Sequence, residues 1–169
     1  MAKTFLDELV EYPAKAIQKL GTNQDIVSLL TDEANIDMDS DEADDVFDKY
    51  LFDYGYVDAT TTEARAFVCV EAELIRSATP TIQDFRLYVT VICHKDFMSI
   101  DTKKFPGVIG NRRDNLVRNI DKILNGSEIF GIGCLTLNSV KTISSPTGFT
   151  ARELTYFVSD FRNKGVQRV

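Results

Sequence analysis

From Phe85 onward, every odd position of IQDFRLYVTVICH (82–94) is apolar: Phe85, Leu87, Val89, Val91 and Cys93. The even positions, Arg86, Tyr88, Thr90, Ile92 and His94, are mixed. Side chains alternate across a strand, so this period predicts a central strand with one face in a core. The other face then meets solvent or a partner. AFVCVEAELI (66–75) alternates likewise, with Ala66, Val68, Val70, Ala72 and Leu74 on one side and Glu71 and Glu73 on the other. The short link RSATPT between the two runs is the spacing of a hairpin. A second hairpin is predicted from Leu135–Ile143 and Arg152–Phe161, reversed by Pro146 and Gly148 in SSPTGFT.

Helical spacing takes over elsewhere. Residues 4–30 read as helical, with Thr4 as a cap and Phe5, Leu6, Leu9 and Val10 as an apolar stripe. Pro13 should kink this segment or open a second helix, Gly21 should end it, and Asn23 should cap a following short helix. Asn111 is placed to cap a helix over Arg112–Leu124, whose apolar face is Leu116, Ile120, Ile123 and Leu124. Arg112, Arg113, Arg118 and Lys122 are expected elsewhere on its surface, with Gly126 closing it. The order predicts an α+β domain: a mainly antiparallel four-stranded sheet of two hairpins, an amphipathic helix between them, and N-terminal helices on the same face. The odd face of 82–94 should sit on the 112–124 helix.

Composition narrows the class. The 169 residues fit a single domain, with 31–62 an acidic and aromatic insertion or loop and 163–169 a loose tail. At 44% hydrophobic and 27% charged the chain has the make-up of a globular protein. No apolar run approaches the length of a membrane span, and the acidic opening MAKTFLDELVEYP does not read as a signal peptide. Synthesis in a cytoplasm is expected. A net charge of −7 argues against a protein that grips nucleic acid by its phosphates.

Catalytic motifs are lacking. Three scattered cysteines, Cys69, Cys93 and Cys134, form no CxxC pair and read as reduced core residues. Asp37, Asp39 and Asp41 open like an EF-hand loop, and Asp45 and Asp48 fall at its ninth and twelfth positions. Glu42 stands where the turn needs glycine, so calcium is a weak candidate and a solvated loop the better reading. His94, the single histidine, points away from Cys93 across the strand and forms no nucleophile–base pair with it. No catalytic residue, cofactor or metal is expected. Tyr50, Phe52, Tyr54 and Tyr56, at even spacing, pack on the core or meet a neighbouring subunit.

The layout also resembles a known family. The N-terminal helix, FVCVEAEL, FRLYVTVICH, the helix RRDNLVRNIDKILNG, LTLNSVK and ARELTYFVSDF together look like the tail terminator proteins of long-tailed bacteriophages. YLFDYGYV followed by TTTEARAFVCVEAEL is similar to small neck proteins of phages and phage-like particles. The resemblance spans 66–161 well and the N-terminal third loosely. It implies a non-enzymatic virion protein, assembled in the host cytoplasm. Its copies would form a hexameric ring that caps the tail tube and joins the neck, and DNA would pass through the centre without specific binding. Its partners would be further copies, the tail tube protein and a neck or stopper protein. The insertion at 31–62 leaves a head-closure (stopper) ring or another neck or tail assembly subunit as the alternative, with a small calcium- or ligand-binding domain more remote. Phe52, Tyr54, Tyr56, Arg86, Tyr88, Arg112 and Arg113 are the expected subunit contacts, and the even face of 82–94 the expected partner-facing or lumen-facing surface.

Overall fold

The computed structural model describes residues 6–55, 63–75 and 81–161. The helices are α1 (Asp7–Gly21), α2 (Gln24–Thr31), α3 (Asp41–Asp44), α4 (Val46–Lys49) and α5 (Arg112–Leu124). The strands are β1 (Leu51–Phe52), β2 (Ala66–Ile75), β3 (Ile82–His94), β4 (Ile132–Ile143) and β5 (Phe149–Phe161).

They form one five-stranded sheet in the order β1-β2-β3-β5-β4. Both predicted hairpins are present, and β3 is central, pairing along its whole length with β5 and from Asp84 to Cys93 with β2. The four-stranded prediction needs correcting. A fifth strand, β1, lies parallel to β2, with Leu51 opposite Val68 and Phe52 opposite Cys69. The sheet is therefore mixed. So short a strand shows no alternation of its own, and the sheet edge it joins defines it.

All five odd residues of β3 from Phe85 to Cys93 are buried, on the side covered by helices. α5 lies against β3 and β5, and α1 lies along β2. Leu116, Ile120 and Leu124 of α5 join Ala16 and Leu20 of α1 and Ile26 and Leu30 of α2 in that core. Tyr12 meets Phe85 and Phe130 edge-on, with ring centroids 5.2 and 5.9 Å apart. Such pairs add to the burial they already provide.

The caps follow the sequence at two places. Asn23 Oδ1 accepts from the Ile26 amide at 3.2 Å, and Asn111 Oδ1 accepts from the Asp114 amide at 2.9 Å. α1 departs from expectation in two ways. It runs unbroken through Pro13. Its inward residues are Glu8, Tyr12, Ala16 and Leu20, while Leu6 and Val10 of the expected stripe face out. Gly21 is the last residue of the helix, as expected, and Thr22 follows as its cap. Space is what requires this glycine, because a Cβ there would lie 2.4 Å from the Phe47 ring. Thr4, Phe5 and the 163–169 tail lie outside the described residues.

Between residues 31 and 55 the chain carries α3, α4 and β1. Ile36, Ala43, Val46 and Leu51 are buried in the main core, so the acidic stretch is anchored by apolar residues between its carboxylates.

Candidate interaction surface

The two faces of the sheet differ. Helical side chains fill the core on the odd face of β3, whereas the second buried cluster, on the even face, contains strand residues alone among those described. That cluster is Phe67, Cys69, Ile92, Phe149 and Ala151, with Phe52 and Ile143 packed against it. Phe52, Phe67 and Phe149 form a row across it, at centroid spacings of 6.1 and 6.3 Å. Tyr54 extends the row outward, 5.7 Å from Phe52. His94 closes the other end, edge-on to Phe149 at 4.9 Å. Its Nδ1 accepts from the Asp96 amide at 3.2 Å and so caps the turn at Lys95–Phe97, a structural role.

The other half of the even face is polar and open. Cross-strand register sets Glu73 opposite Arg86, Glu71 opposite Tyr88, and Arg86 opposite Phe157. The Tyr88 hydroxyl donates to Glu73 Oε2 at 2.5 Å, and Arg86 Nη1 lies 3.6 Å from the same oxygen. The hydrogen bond to Glu73, followed by partial burial, holds the phenol of Tyr88 above its ordinary range. Beside this trio Phe157 remains 38% exposed. A charged pair, a tyrosine and an exposed phenylalanine on flat sheet are the residue types of a protein contact.

The predicted contact residues thus divide. Arg86, Tyr88, Phe52 and Tyr54 share this face but on different strands: Phe52 lies opposite Cys69, outside β2, while Arg86 and Tyr88 stand on β3 beside Glu73 and Glu71. Tyr56 lies outside the described residues. Arg112 is not on the surface: it is 2% exposed. Its Nη1 donates to the Leu29 carbonyl at 2.7 Å, Nε to Phe97 at 2.9 Å, and Nη2 to Ser99 at 3.2 Å and to the Asp32 carboxylate. The guanidinium also stacks 4.0 Å over the Phe97 ring. A cation at the last turn of α2 meets carbonyls that no helical amide satisfies. Arg113 is turned to its neighbour Asp114, and Arg152 reaches the same carboxylate.

Asp32 completes the Arg112 site. It caps α2 in the left-handed conformation, φ 65°, and also accepts from Lys104 Nζ at 2.7 Å. Burial pushes its carboxyl up, but the hydrogen bonds from Lys104 and Arg112 outweigh that and hold it below its ordinary value.

Two further expectations change. Cys134 is exposed, unlike Cys69 and Cys93. It sits at the start of the edge strand, where register slips between Ile132 and Thr136. In the EF-hand-like stretch, Asp37 uses its Oδ1 to accept the Asp39 amide, and its carbonyl accepts from Ser40. Among the described residues no group of three or more His, Cys, Asp or Glu side chains is placed to hold a metal.

The YomW family model matches residues 23–158, from the cap of α2 almost to the end of β5. No curated protein matches the chain. The chain therefore belongs to the YomW family, a phage-derived, Bacillus prophage-like family, and is a phage-associated protein.

Proposed function

We propose that this chain is a tail terminator subunit, a structural virion protein whose copies close into a ring. The ring caps the tail tube and joins it to the neck, and DNA passes through its lumen. The observation that carries the reading is the open half of the sheet, Glu73–Arg86–Tyr88–Phe157, in a member of a phage-derived family.

A ring closes through two different patches on each subunit. The open face supplies one. Beyond Leu137, where bonds to the 125–127 segment end, the outer edge of β4 meets no further strand among the described residues and supplies another, since a bare edge invites pairing unless a neighbour covers it. The chain's net charge of −7 suits a channel that DNA crosses without being held.

The test is to mix the full chain with purified tail tubes and image the product in negative stain. Closed rings seated on tube ends support the reading. Tubes left uncapped contradict it, and open-ended polymers of the chain itself would make it a tube subunit instead.

A further inference from the structure

The end of the molecule opposite the aromatic row holds a cavity of about 450 Å³ between the first half of α1, the segment 129–131 and the ends of β4 and β5. Its wall depends on a close approach. A Cβ on Gly131 would lie 2.5 Å from the Ser159 carbonyl oxygen, so this segment can lie against β5 because residue 131 is glycine.

The lining is acidic. Glu8, Glu11 and Asp160 line the cavity, and among the described residues one ammonium, Lys15, joins them, its Nζ 3.7 Å from Glu11 Oε2 and donating to the Ile129 carbonyl at 3.2 Å. Asp160 Oδ2 accepts from the Tyr12 hydroxyl at 2.5 Å. Burial, reinforced by that bond to Asp160, raises the phenol well above its ordinary range, so Tyr12 remains a neutral donor.

Glu8 is different. It is 6% exposed, yet its Oε2 has no hydrogen-bond partner among the described residues. A buried carboxylate oxygen without a donor is costly, and a cation is the partner that relieves it. Around the mouth stand apolar side chains left in solvent, with Ile129 46% and Phe161 65% exposed.

We propose that this cavity seats a guanidinium carried on an apolar stem, the chemistry of an arginine side chain. A metal ion fits less well, because the carboxylates do not converge on one point. Oxygens spread around a cavity suit a planar, delocalised cation with several donors. The apolar mouth suits its methylene stem. An arginine anchored in an acidic cavity with an apolar rim is also the arrangement of an interface hot spot. The charge and shape of the cavity do not depend on the chain forming a ring.

The test is an amide-resolved NMR titration of the full chain with ethylguanidinium chloride, ethylammonium chloride and sodium propionate. Saturable shifts confined to residues 8–15 and 129–132 are expected with ethylguanidinium, weaker ones with ethylammonium and none with propionate. Glu8→Gln should weaken ethylguanidinium binding about tenfold or more, the worth of a hydrogen bond to a charged group. Sedimentation of the same samples separates the sources. If ethylguanidinium dissociates the assembled chain, the native occupant is a neighbouring subunit's arginine. If it binds and assembly is unchanged, the occupant is a free organic cation. Shifts that never saturate, that are alike for all three salts, or that persist unchanged in Glu8→Gln would overturn the proposal. The wild-type titration decides the first two outcomes without any variant.

Discussion

Arg112 shows what a sequence hides at the scale of one residue. Two arginines after a helix cap look alike on paper, and both were expected on the surface. Three carbonyls and one carboxylate, gathered from α2, the 97–99 turn and the left-handed Asp32, draw Arg112 inward. Those acceptors are distant in the chain, so no local pattern announces them. Arg112→Met should destabilise the fold by about 3–5 kcal/mol, since it takes the buried donor from three carbonyls and leaves Asp32 with Lys104 alone. Arg112→Lys should recover only part of this, because an ammonium lacks the planar fork. Denaturant unfolding of both variants checks the order. The same site carries a pH dependence. The folded Asp32 carboxyl lies below its ordinary value of 3.8, so its contribution is fully present above that value. It is lost as pH falls through the lowered folded value. Asp32→Asn, which keeps a residue tolerant of the left-handed conformation, should flatten the fall in thermal midpoint on acidification. An unchanged slope would place the acid sensitivity elsewhere.

Elements were more legible than single residues. The bounds of β2, β3 and α5 and the caps Asn23 and Asn111 follow from alternation, helical spacing and cap chemistry, all of which are local. β1 and the inward face of α1 were not legible. A two-residue strand exists through its partner, and α1 buries Glu8 and Tyr12 where Leu6 and Val10 seemed the apolar choice. Gly21 is the sharpest case. An alanine in a helix is ordinarily worth about 1 kcal/mol over glycine, so Gly21→Ala should stabilise α1 if conformation alone mattered. The Phe47 ring occupies the space the methyl needs, so we expect a net loss of about 1–3 kcal/mol from overpacking. Adding Phe47→Leu should restore part of it. A double-mutant cycle in urea measures the coupling, and additive losses would exclude the steric account.

At the scale of the whole molecule, the α+β class and the core face of β3 are legible in its alternation, while the even face of β3 is divided. One half is a small buried cluster and the other is polar and open. That division could not be seen from β3 alone, because it depends on what β1, β2 and β5 place beside each even residue. It also limits where a partner can bind. Tyr88→Lys, on the open half, should leave the thermal midpoint nearly unchanged and weaken assembly, whereas Ile92→Lys, in the buried half, should unfold the subunit. Equal effects of the two on folding would remove the distinction. The central claim is that copies of this chain close into a ring. Sedimentation velocity of the full chain over rising concentration, with and without tail tubes, tests it most directly. The account predicts a closed species of fixed stoichiometry, a hexamer of the 19.0 kDa chain, formed alone or on meeting a tube; a monomer at every concentration that ignores the tubes would contradict it.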